Sequence, residues 1–179
     1  MVVPALIAMM TTSAAGAQPS DEPDRTLLLT GVQGALGSTV GPDGALYVTE
    51  AAAGRLSRVD PITGQITTVA SGLPGQILPG LGGAVDVAFV GRTAYVLETF
   101  NGTDVGGSTE VGIYRVDGPH KFRVIADIGA FNVSHPPDTD FQAPQGVQTS
   151  LQRFRGGFIV TDGHLNRMLR VSLDGESPC

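Results

Sequence analysis

Glu50, Glu98 and Asp162 each close a copy of one short motif: LYVTE at Leu46–Glu50, AYVLE at Ala94–Glu98 and FIVTD at Phe158–Asp162. Three carboxylates brought to one rim by a repeat supply the hard oxygen donors that Ca²⁺ or Mg²⁺ takes. The same residues could instead accept N–H hydrogen bonds from the turn that follows each copy. Asp86 has no acidic counterpart, since its repeat equivalent falls near Gly146 or Val147. It begins a strand close to the axis of the repeat, where a carboxylate could bind a cation, orient a polar ligand or cap its own turn. His135, Asp138 and Asp140 share one loop that Pro136 and Pro137 stiffen. An imidazole beside a carboxylate can hold a metal or exchange a proton, and the composition SHPPDTD also fits a solvated loop. Glu50, Glu98 and Asp86 are therefore the candidate metal ligands, with Ca²⁺ as the ion. Asp86, His135 and Asp138 are the candidate ligand-binding residues.

Other chemistry finds little support. Asp104, Gly106, Gly107 and Glu110 lie in one long loop but lack the spacing of a calcium-binding loop. No G-x-S-x-G, P-loop or H-E-x-x-H motif occurs, and Ser108 has no evident base partner. His120 and His164 fall in turns. No catalytic set is assigned, and no cofactor is evident beyond the possible Ca²⁺. Asn101-Gly102-Thr103 and Asn132-Val133-Ser134 match the glycosylation sequon, which matters only in a eukaryotic host.

The elements that must position these residues follow from the repeat. Each motif copy is followed by a second strand, written RLSRVD, GIYRVD or RMLRVS, and is bounded by glycine-marked turns. Alternation places strands at Leu36–Val40, Ala45–Glu50, Arg55–Asp60 and Gln65–Ala70 in the first repeat. The second repeat gives Ala84–Val90, Thr93–Glu98, Gly112–Asp117 and Phe122–Ile128; the third gives Gly146–Leu151, Gly157–Asp162 and Arg167–Leu173. Gly41-Pro42-Asp43-Gly44 and Asp60-Pro61-Ile62-Thr63-Gly64 carry the residues that tight turns require. A repeated antiparallel unit of this size is a propeller blade. The expected fold is all-β: a partial β-propeller of about three four-stranded blades, the third without its outermost strand. Thr26–Thr30 is a candidate for that missing edge. Ser71–Gly83, Thr99–Val111 and Gly129–Pro144 are long connections sharing the opposite rim, where sites are usually placed.

Composition agrees. In 179 residues there are 25 Gly and 12 Pro, while charged residues are only 16%, which suits short strands joined by turns. A net charge of −6 and the absence of any basic run exclude tracking of a phosphate backbone, so no nucleic-acid partner is expected. Met1–Ala17 has the apolar run and A-x-A ending of an export signal, without a basic n-region, and is too short to span a membrane. Residues 18–24 are then a flexible mature terminus and 25–179 the propeller domain, in a secreted or periplasmic protein. Cys179 is the only cysteine, so no intrachain disulfide forms.

Several segments together carry a family likeness: GPDGALYVTEAAAGRLSRVDPITGQITT at Gly41–Thr68, GGAVDVAF ending at Phe89, ADIGAF at Ala126–Phe131, PQGV at Pro144–Val147, and Gly157–Gly175. They resemble NHL-like propellers and, among these, the ScyD/ScyE family of scytonemin clusters. That resemblance implies an exported six-bladed parent of about twice this length, with no catalytic set to carry over. The expected function is binding of a small molecule or protein partner through the loop-rich face. The alternative is a metal-dependent hydrolase of the propeller lactonase type, a related group in which acidic and amide residues around the central channel hold the metal. A homodimer of two half-rings would be one way to close the propeller.

Overall fold

Alternating side chains and glycine turns produce three successive antiparallel meanders in the computed structural model, which describes residues 25–138 and 142–173. Blade 1 contains β1 (Ala35–Val40), β2 (Leu46–Glu50), β3 (Arg55–Val59) and β4 (Ile66–Ser71), hydrogen-bonded in chain order. Blade 2 contains β5 (Gly83–Val90), β6 (Thr93–Thr99), β7 (Gly112–Gly118) and β8 (Lys121–Asp127). Blade 3 contains β9 (Gln148–Phe154), β10 (Gly157–Asp162) and β11 (Arg167–Ser172), and has no fourth strand among the described residues. The first strands lie side by side, β1 against β5 and β5 against β9. Blades that meet along their first strands and pack face to face form a propeller, so the chain is an all-β partial propeller.

The core lies between the blades. Leu56 and Ala70 of blade 1 pack on Val87, Ala94, Val96 and Tyr114 of blade 2, with Tyr47 meeting Phe89 edge-on at 4.7 Å. Val85, Tyr95, Leu97 and Ile113 of blade 2 pack on Leu151, Phe158 and Val160 of blade 3. Burial of this apolar surface is the main stabilising term. The turns form as their residues require: Gly44 has φ +79° and its N–H reaches the Gly41 carbonyl, while the Asp60 carboxylate accepts from the Ile62 and Thr63 N–H groups. His120, in the β7–β8 turn, is bonded to Ser71 at the end of β4, tying blades 1 and 2 at their outer edges.

Each inner strand carries a bulge opposite the end of the motif strand. The register this imposes matches Asp86 with Gly37 and Ser150, rather than with Gly146 or Val147 as the sequence spacing suggested. Gly37 is required where it stands, because a Cβ there would strike Val85 and Asp86 of the next blade.

Three local expectations are corrected. Thr26–Thr30 forms no strand; its Leu28 carbonyl lies against Gly64 at the β3–β4 turn. The third inner strand starts at Gln148, because the Gly146 N–H turns back to the Ala143 carbonyl with φ at +81°. The connection after β8 is not all loop: it opens with α1 (Ile128–Ser134), capped by the Asp127 carboxylate accepting from the Ala130 N–H at 2.8 Å. Among the described residues no helix is long and apolar enough to cross a membrane.

Candidate functional site

The three repeated carboxylates are all buried, and each has a different environment. Glu50 receives Nε and Nη2 of Arg55 at 2.8 and 2.7 Å, the Ser57 hydroxyl at 2.5 Å and the Gln33 N–H at 2.8 Å. Burial pushes its carboxyl up, and these donors outweigh burial, leaving the pKa lowered to about 2. Asp162 accepts five hydrogen bonds, from the Val147, His164 and Leu165 N–H groups and from the side chains of Asn132 and Gln148. Glu98 accepts one, from Asn101 Nδ2 at 3.2 Å, and its Oε1 has no partner. Burial pushes the Glu98 carboxyl well above its ordinary value.

Asp86 joins two blades. Its Oδ2 accepts the Leu151 N–H of blade 3 at 2.7 Å and its Oδ1 accepts the Val87 N–H at 2.8 Å. Burial pushes this carboxyl up, against the pull of the two N–H donors. Glu50, Glu98 and Asp86 are thus held by separate sets of partners. Among the described residues no group of three His, Cys, Asp or Glu side chains gathers to hold a metal ion.

His135 and Asp138 lie at and beyond the exposed end of α1. The His135 ring stacks on Phe131 at 4.2 Å, its Nδ1 lies 3.0 Å from the Ser134 hydroxyl, and its carbonyl accepts from Arg167 at 2.7 Å. Asp138 is exposed, and Asp140 lies outside the described residues.

Several polar residues that hold this rim together were not singled out by the sequence. Asn132 donates to Asp162 and to the Gln145 carbonyl, and accepts from Arg167. Gln148 and Thr99 bond each other across blades 2 and 3. Gly146 is enclosed by this network, since a Cβ there would meet Asp162, Asn132 and Gln148. Asn101 and Asn132, the two sequon asparagines, are both buried, so neither presents a glycosylation acceptor. Their bearing on the rim could have been suspected only from their place beside the repeated acids.

Between the loop after β6 and the start of α1 lies a cleft of about 280 Å³. Thr103, Ser108, Thr109 and Glu110 form one wall, and Asp127, Ala130 and Gln145 the other. The loop wall is pinned: the Asn101 carbonyl accepts from the Thr109 N–H and hydroxyl, Gln145 Nε2 reaches the Thr103 hydroxyl, and Asp104 accepts the Gln145 N–H. Glu110 is exposed at the cleft, its carbonyl accepts from the Tyr114 hydroxyl, and its carboxylate also acts on that phenol. Both titratable groups in the lining are acids, and no Lys or Arg reaches it. Such a lining suits a ligand with a positive charge or several hydrogen-bond donors.

No family model and no curated protein matches the chain. Among solved structures it is similar to selenomethionine-substituted virginiamycin B lyase from Staphylococcus aureus, with 18% identity over 82% of this chain and 40% of that one, and a TM-score of 0.48. It is also similar to a catalytically inactive variant of that lyase with quinupristin, with 14% identity over 75% and 36% of the two chains and a TM-score of 0.45. The chain spans about 40% of the length of these structures. At such identities and scores the likeness carries no chemistry.

Proposed function

We propose that this chain is an exported propeller of the ScyD/ScyE type that binds a small, positively charged or donor-rich ligand on its loop-rich face. The observation behind this reading is the cleft between the loop after β6 and α1, where Glu110 and Asp127 stand with three hydroxyl residues and no cation. Asp127 is engaged as the cap of α1, so the exposed Glu110 carboxylate is the one to meet the ligand. Spermidine is a suitable probe. Titrated at low salt, it is expected to shift amide resonances of Ser108–Val111 and Asp127–Ala130 saturably, and Glu110→Gln should weaken binding about tenfold. Shifts scattered over the acidic surface, or a Glu110→Gln chain that binds as well as the wild type, would overturn the reading.

A metal-dependent hydrolase is the second reading, and one observation favours it: of the three carboxylates expected as ligands, Glu98 keeps an oxygen without a partner. Hydrolysis of a simple lactone that is lost with EDTA and restored by Ca²⁺ is the behaviour it requires.

A further inference from the structure

We propose that blade 2 carries a buried Ca²⁺ site whose protein oxygens include Glu98 Oε1 and Asn101 Oδ1. This goes beyond the cleft and does not depend on which ligand the cleft takes. Glu98 is 0% exposed and Asn101 2%, and both of these oxygens are buried acceptors with no hydrogen-bond donor. Buried acceptors are costly to leave unpaired, and a buried carboxylate with a single neutral donor more so.

The other blades show what belongs there. In strand register Glu50 stands opposite Arg55, Asp162 opposite Arg167, and Glu98 opposite Gly112. Blade 1 uses its arginine directly on the carboxylate. Blade 3 has its arginine at the same place, bonded to the Asn132 that donates to Asp162. Blade 2 has neither the guanidinium nor the space for one on β7, because a Cβ at Gly112 would strike the Ala126 carbonyl. The positive charge is therefore missing at the one repeat where the carboxylate is least satisfied.

The surroundings indicate the kind of cation. Besides Asn101, the groups beside Glu98 are Ala84 of β5 and Gly112 of β7, its strand partners, with the Tyr114 phenol within its electrostatic reach. Glu98, Glu110 and Asp127 all act on the Tyr114 phenol, which burial, then these acids, push up. A carboxylate and an amide carbonyl are hard oxygen donors of the kind that a divalent cation such as Ca²⁺ takes. An all-oxygen donor set excludes a preference for Zn²⁺, and Ca²⁺ tolerates irregular protein oxygens better than Mg²⁺. Because the Asn101 carbonyl holds Thr109, a cation on Asn101 would also fix the loop wall of the cleft.

The test uses the whole chain after chelator treatment. Addition of Ca²⁺ at hundredfold excess over Kd should raise the melting temperature by about 5 to 10 °C, with Mg²⁺ at equal ionic strength giving less. Glu98→Gln should abolish the Ca²⁺ response. Should that variant fail to fold, terbium luminescence of the wild type decides the matter: Tb³⁺ in a Ca²⁺ site beside Tyr114 should be sensitised, and Ca²⁺ should quench the signal by displacement. A wild-type chain with no Ca²⁺ shift and no sensitised terbium overturns the proposal. So does a Glu98→Gln chain that responds to Ca²⁺ as the wild type does. In either case Glu98 is the neutral acid, sharing its proton with Asn101.

Discussion

Arg55 and Gly112 stand at the same register position in successive blades, and the carboxylate opposite each behaves accordingly. Glu50 is buried yet held at a pKa of about 2, because Arg55, Ser57 and the Gln33 N–H together outweigh the cost of burial. Its folded pKa lies below the ordinary 4.5, so the stability it contributes is present above that value and is lost as pH falls towards 2. Arg55→Ala leaves this carboxylate buried with fewer donors and should cost about 2 kcal/mol in urea unfolding at pH 7. The difference between variant and wild type should narrow as pH falls from about 4.5 to 2, because the proton then does what Arg55 did. A difference that stays constant across this range would show that Arg55 acts through packing instead. The repeated acids and the arginine of RLSRVD were plain in the sequence. The donors from Gln33 and Ser57 were not, since their proximity depends on how the chain enters β1 and on which face of β3 Ser57 occupies.

Strands and turns were legible because each is fixed within a few residues: β6 and β10 follow from a short apolar run that ends on an acid and is bounded by turn residues, and the Gly41–Gly44 turn from Pro and Gly at defined places. Helix α1 was hidden because it is only seven residues long, contains Gly129 and follows β8 without a gap. Too short to show an apolar stripe, it depends on the Asp127 cap and on the contacts of Asn132. Asp86 was legible as unusual, but its role was not, because the bulge in β5 shifts the register that spacing alone would assign. Its two hydrogen bonds predict how the blades hold together. Asp86→Ala removes the acceptor of the Leu151 N–H, leaving that amide at the joint between blades 2 and 3 without its partner. Amide exchange at Leu151 should speed up at least tenfold, equivalent to about 1.4 kcal/mol, while amides at the β2–β3 pairing of blade 1 stay unchanged. Uniform acceleration throughout would mean global destabilisation, and none at all would mean that Asp86 is not a joint.

At the scale of the molecule, the two blade interfaces set a pattern that the outer face of blade 1 continues. Val40, Leu46, Val59 and Ile66 pair in one row across β1 to β4, and paired residues point to the same side of a sheet. Tyr47, one residue out of step, packs on Phe89 of blade 2, so the row faces away from blade 2. Within this row Val59 is buried and Leu46 half-buried, while Val40 is 64% exposed and Ile66 42%, an apolar edge of the kind that the interior interfaces bury. Exposed apolar faces of packed sheets drive association, and a second copy of this chain is the occupant always present in a purified sample. The chain is therefore expected to self-associate through blade 1, with a light-scattering mass on a sizing column above that of the 18.4 kDa monomer. Val40→Lys with Ile66→Glu should return it to the monomer mass with little loss of melting temperature, because Val40 is mostly in water and Ile66 is exposed over 42% of its surface. A wild-type monomer, or a variant that associates as before, would show that this face is not the contact. A discrete dimer abolished by the double variant would fit two half-rings meeting blade to blade, whereas a ladder of larger species would mean that the same face joins copies without closing a ring.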